Sequence, residues 1–173
     1  MRIPVLAVLA ALVAVPARAQ HMSKATFTAI LEHQKTFLLK YVDAAPDSML
    51  TWRPTPGVRN FAEQIEHASL SDANIAHMLI AGNRSVPPMG DSTVYRRNKA
   101  ALREMATKAM DHTIEMINGL TDADLVKEVS LFGRRMPMHR ALLLLLDHFP
   151  WTLGQTVPYL RIHGVTPPAY TVF

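Results

Sequence analysis

The sequence predicts an all-α fold, an antiparallel four-helix bundle. Three observations point there. Four stretches of roughly 20 residues repeat apolar side chains at spacings of three and four. Loops on the order of ten residues, rich in Pro, Gly and Asn, separate them, a length that joins neighbouring helices in a bundle. The chain has 173 residues and no cysteine, so a buried apolar core must hold it without disulfides.

Residues 1–19 stand apart from this pattern. Arg2 supplies a short positive region, 3–15 is an almost unbroken apolar run, and Ala17-Arg18-Ala19 is an A-x-A site. Together these make a secretory signal peptide, cleaved after Ala19. A membrane anchor is the competing reading, but the run falls short of the roughly 20 residues that a span needs. The expected product is one helical domain, residues 20–173, periplasmic or secreted, with no stable membrane span after cleavage. Cleavage removes Arg2 and Arg18, leaving 16 of the 18 Lys and Arg against 14 acids. A net charge so near neutral gives no electrostatic footprint for nucleic acid, and Arg134-Arg135 is explained by a solvated turn. The lack of cysteine also excludes a Cys nucleophile, Cys-ligated zinc or iron–sulfur, and covalent haem attachment.

The first helix, 23–42, carries Phe27, Ile30, Leu31, Phe37, Leu38 and Tyr41, with Ser23 as its N-cap. Pro46 stops it, and the loop PDSMLTWRPTPGVRN follows. The second, 60–81, is marked by Phe61, Ile65, Ala68, Ile75, Met78 and Leu79 and ends at Gly82-Asn83. The third runs from 92 or 93 to 118, with Tyr95, Leu102, Met105, Ala109, Met116 and Ile117 on its stripe, and Gly119 ends it. TDADL reads as a short capped turn of helix. In VKEVSLFGRRMPMHR, the Val129, Leu131 and Phe132 side chains before Gly-Arg-Arg admit a short extended excursion. The fourth helix spans 137–162. The ten Met residues sit mostly at core spacing, where Met fills gaps.

One polar constellation is mounted on this scaffold. At about 100° per residue, His148 and position 152 lie about 40° apart, and Gln155 returns to within about 20° of His148. A bundle that turns this face inward can hold a metal against a donor from another helix. His67, beside Ile65 and Ala68 on the second helix, is the best such donor.

The order of these features resembles the DinB-like family of helical bundles, described as metalloenzymes. The resemblance rests on Trp52-Arg53-Pro54, Pro56-Gly57, Glu63-Gln64 and His67, and on the closing run LDHFPWTLGQTVPYLRIHGVTPPAY with His148, Gly154-Gln155, Tyr159-Leu160-Arg161, Gly164 and Pro167-Pro168. It covers about residues 24–170. It implies three ligands to a divalent metal of the zinc, nickel or iron class: His67, His148 and position 152. His67 and His148 match. Position 152 is Thr, a weak neutral donor beside imidazole. Asp147 is a chemically ordinary replacement, about 100° round the helix; Gln155 is better placed but weaker. Pro150 and Pro158 each remove a backbone donor and kink the helix near the site.

Plainer readings stand beside these. Glu63, one turn before His67, either orients it or is a solvated surface residue. His33 and His77 read as exposed. Met136 to His139, with His112 and Met116, suggests copper or haem binding, but core and turn packing accounts for them. Trp52-Arg53-Pro54 reads as a loop packed on the bundle. No Ser-His-Asp order or phosphate-binding loop stands out. The resemblance also implies thiol-dependent transferase or isomerase chemistry, which suits reducing cytoplasm and sits badly with an export signal. Two functions remain open. One is an exported, weakly metal-binding hydrolase or transferase of a small molecule, acting through water activated by the metal. The other is a non-catalytic bundle with a degenerate site, serving binding or structure and admitting a homodimer.

Overall fold

Each long helix but the last begins where a side chain satisfies its orphan amides. Ser23 accepts from the Thr26 N–H ahead of α1 (Lys24–Ala44). Asn60 accepts from the Glu63 N–H ahead of α2 (Phe61–Ile80), and the Glu63 carboxylate returns to the Asn60 N–H, a capping box. The computed structural model describes residues 22–171; the expected signal peptide, 1–19, lies outside the described residues.

The expected third helix is two. Asp91 caps α3 (Ser92–Tyr95), and Asn98 starts α4 (Lys99–Asn118) afresh by accepting from the Ala101 N–H. The short piece is pinned from outside: Tyr95 Oη and Arg96 both donate to the Glu66 carboxylate, at 2.9 Å and at 2.6 and 2.8 Å. That tertiary anchor overrides the continuous helical pattern. TDADL is α5 (Asp122–Leu125), with Thr121 and Asp124 forming a second capping box. The extended excursion is a hairpin, β1 (Glu128–Leu131) antiparallel to β2 (Arg134–Pro137), closed by Phe132-Gly133.

The expected fourth helix also divides, into α6 (Met138–Gly154) and α7 (Val157–Ile162). The two internal prolines explain where. Pro150 leaves the Leu146 carbonyl without its helical donor, and Gln34 from α1 supplies one, Nε2 donating to it at 3.4 Å. α6 therefore continues through Pro150. Pro158 has no such helper among the described residues and would clash with the Gly154 carbonyl, so α6 ends there. Pro158 then sits in the first turn of α7, where a missing N–H costs little.

The chain is the expected all-α bundle, and cross-helix contacts give its directions. α1 and α4 run antiparallel: Lys24 donates to the Asn118 carbonyl, Lys35 to Asp111, and Arg103 to Asp43. α2 and α6 are antiparallel as well, with Gln64 on Gln155 and Asp72 on His148. α2 and α4 run side by side in one direction, since Ser69 meets Met105 and His77 stacks on His112. The long connection through α3 makes this feasible by running back along α2. The order is up, down, down, up. α2 packs closely on α4 and α6, and α4 on α1, whereas α1 and α6 meet thinly. Phe27, Leu31, Phe61, Ile65, Leu102, Met110 and Phe149 fill the core. No helix among the described residues is long and apolar enough to cross a membrane.

Candidate metal centre

The antiparallel α2/α6 seam brings His67 and His148 together. Their Nε2 atoms are 3.4 Å apart, and the rings meet edge to face with centroids 5.1 Å apart. Each ring is held from behind through its other nitrogen. His148 Nδ1 lies 2.7 Å from Asp72 Oδ1, and His67 Nδ1 lies 2.9 Å from Ser71 Oγ. Thr152, 1% exposed, places Oγ1 3.2 Å from His148 Nε2. The helical spacing of four between 148 and 152 does put both on one face, as the sequence predicts.

Asp72 is the residue that sequence reasoning missed. Its signal was available: it sits one turn from both Ala68 and Ala76, inside the buried stripe of α2. The side chain is fully buried, and Oδ2 has no hydrogen-bond partner among the described residues. Burial raises its carboxyl to about 6, against the lowering effect of the His148 hydrogen bond. Above that pH the carboxylate can only accept, so His148 Nδ1 carries the proton of that bond, and in the neutral ring the lone pair is then on Nε2. Ser71 can donate or accept, so it supports either tautomer of His67. Burial, helped by Arg59, depresses the proton affinity of His67 and keeps that ring neutral at pH 7.

A tetrahedral ion about 2.0–2.1 Å from each nitrogen spaces its donors roughly 3.3–3.4 Å apart. The His67–His148 separation fits that edge, and the Thr152 hydroxyl is close to it. The donor chemistry fits less well, being two imidazoles and a neutral hydroxyl. Among the described residues no three His, Asp or Glu side chains converge as a metal cluster. Asp147 is exposed on α6, on the wrong side to reach in, so it does not replace a third ligand. Gln155 lies beyond the end of α6, where Oε1 accepts from Gln64 Nε2 at 3.1 Å, away from the histidines. Glu63 is committed to its capping box and to Arg53 and does not orient His67.

The other candidates have structural partners. His33 and His77 are half-buried, not exposed. His33 Nε2 is 3.0 Å from the Thr171 carbonyl, and His77 stacks on His112 at 5.5 Å. His139 Nδ1 is 3.0 Å from the Leu125 carbonyl. Trp52 packs edge-on against Tyr159 and His163, as a loop residue pinned to the bundle.

The histidine pair opens onto a cleft of about 600 Å³ that reaches the β1–β2 turn. His67 also borders a smaller, polar cleft holding Arg59 and Arg96.

Residues 30–149 match the family model of the DinB superfamily. Two solved structures share the fold. A DinB-like protein from Bacillus cereus ATCC 10987 is 19% identical, with a TM-score of 0.71 over 88% of this chain and 100% of that one. A DinB-like protein from Bacillus subtilis, YjoA, is 18% identical, with a TM-score of 0.68 over 83% of this chain and 95% of that one. No curated protein matches the chain.

Proposed function

The chain belongs to the DinB superfamily, and from that premise we propose that it is an exported protein binding a divalent metal of the zinc, nickel or iron class weakly through His67 and His148. One observation carries the reading: two Nε2 atoms converge at 3.4 Å while each Nδ1 is already engaged. Carboxylate and hydroxyl partners behind metal-binding imidazoles fix their tautomer and raise their basicity. Such an ion, when bound, supplies the Lewis-acid chemistry of a hydrolase or transferase acting on a small molecule. Asp72 keeps the proton of His148 on Nδ1, Ser71 can do the same for His67, and Thr152 fills the third corner with a weak oxygen donor.

A second reading is favoured by Thr152 itself. With two imidazoles and no third strong ligand among the described residues, the network also stands as a polar seam in which one N–H bridges the two Nε2 atoms. The protein is then a non-catalytic binding or structural bundle, as a monomer or homodimer.

Elemental analysis of protein purified from its native compartment without chelators separates the two. The metal reading expects retained zinc, nickel or iron. It also expects calorimetric binding that His67→Ala and His148→Ala each abolish. No metal and no binding heat in the wild type would hand the site to the second reading. Export has its own check: the intact mass of periplasmic or secreted protein should place the N-terminus at Gln20, and a full-length cytoplasmic chain overturns it.

A further inference from the structure

The cleft over the histidine pair has walls that metal binding alone leaves without a use. Phe132 forms one. It occupies the first position of the two-residue turn between β1 and β2, with φ 49° followed by Gly133 at 80°. Turns of this hand favour Asn, Asp or Gly there, and a bulky side chain in the left-handed region is an outlier. The residue gains little burial in exchange, being 66% exposed. Strain without packing return is the pattern found at ligand sites. Ile75, Met78 and Leu144 continue the apolar wall, and Arg84 stands in the same cleft. Arg84 is exposed and has no ion-pair partner among the described residues. It is the one formally charged side chain lining this cleft among the described residues; Asp72 is buried behind the histidines. The neighbouring cleft differs, its arginines accompanied by Glu63 and Glu66.

We propose that this cleft binds an amphipathic monoanion, an aliphatic or aryl carboxylate whose apolar body lies against Phe132, Ile75, Met78 and Leu144 and whose carboxylate pairs with Arg84. A volume of about 600 Å³ holds a ligand of that size. An unpaired guanidinium takes a carboxylate through two parallel hydrogen bonds. The inference rests on the metal reading for which end of the ligand reacts, though not for the binding itself. The apolar wall sets the body of the ligand, Arg84 sets its charge, and the histidine pair meets whatever polar group it carries between them.

Octanoate is the probe, with octanol and octylammonium as controls, titrated calorimetrically into metal-free and zinc-treated protein. Octanoate should bind both forms, octanol more weakly, and octylammonium not measurably. Arg84→Gln should weaken octanoate about tenfold and leave octanol unchanged. Phe132→Gly should weaken both while keeping or raising the melting temperature, because it removes an aromatic contact and relieves the left-handed turn. Equal affinity for octanoate and octylammonium would overturn the proposal. So would octanoate binding that needs zinc and ignores both substitutions, since the anion would then sit on the metal alone. A joint fall in stability and binding for Phe132→Gly would make Phe132 a packing residue and overturn its role. If zinc fails to bind but octanoate binding responds to both substitutions, this inference stands and the metal reading falls.

Discussion

Helix α6 presents two concave faces that differ in kind. Toward α2 it turns His148 and Thr152, and the polar atoms there form a chain running from Asp72 through both histidines to Ser71. Toward α1 it turns Leu146, Phe149, Pro150 and Leu153 into an apolar cavity of about 470 Å³, closed in part by Phe37 and Tyr170. The buried amide on that side, Gln34, repairs the carbonyl that Pro150 orphans. Both faces are hollow, so a cavity alone does not mark a site. What separates them is that several buried polar groups are aimed at one another on the first face, whereas on the second a single amide closes a helix through its Nε2 and leaves its Oε1 without a partner among the described residues.

The sharpest way to break this contrast is Thr152→His. A third imidazole in place of a hydroxyl should tighten zinc or nickel binding by orders of magnitude, as seen by calorimetry. Thr152 is 1% exposed, so the larger ring should cost the metal-free protein about 1–3 kcal/mol. Zinc should return that stability, because it binds the folded state. Equal affinity in wild type and variant would show that position 152 is not at the ion.

Asp72→Asn should weaken metal binding by about 10–100-fold, the usual loss when the partner behind a ligating histidine is changed. It also carries a pH signature. The folded chain holds the Asp72 proton up to about 6, against 3.8 ordinarily. The stability this contributes is full below pH 4 and is lost as pH rises through about 6, at most about 3 kcal/mol. Chemical denaturation at pH 4 and pH 7 should therefore show the wild type gaining on Asp72→Asn at the lower pH. His67 pulls the other way in both proteins, since its depressed proton affinity costs stability as pH falls through the ordinary histidine range.

The opposite face should respond in stability alone. Gln34→Leu leaves the half-buried Leu146 carbonyl without its donor while also removing the partnerless Gln34 Oε1, for a net cost of about 1 kcal/mol, with zinc affinity unchanged. In a Pro150→Ala background, where the helix supplies its own N–H, the same change should be nearly neutral. A cost that persists there would mean that Gln34 stabilises by packing.

Asp147→Ala should do least, within about 0.5 kcal/mol in stability and without effect on metal affinity, because the carboxylate faces solvent. A loss of binding would restore it as a third ligand.

How much of this was legible in the chain differs from helix to helix. Periodicity marked α1 and α2 to within two residues at each end, because each has a side-chain cap at its start and turn or proline residues after it. The same periodicity ran straight through the breaks at 96–98 and 155–156. The first break is made by Glu66, thirty residues away, gripping Tyr95 and Arg96. The second depends on which proline finds a distant amide, and among the described residues Pro150 does and Pro158 does not.

The helical class, the apolar faces and the shared face of His148 and Thr152 are written in the order of the residues, because these follow from local spacing along one helix. That order also pointed to His67. Packing between helices is what puts Asp72 and Ser71 behind the two rings, turns Asp147 to solvent, and brings Phe132 and Arg84 to the same cleft. Those relations join α2, α6, the 81–91 segment and the hairpin turn across the bundle. They depend on the direction and rotation of whole helices, which no local pattern specifies.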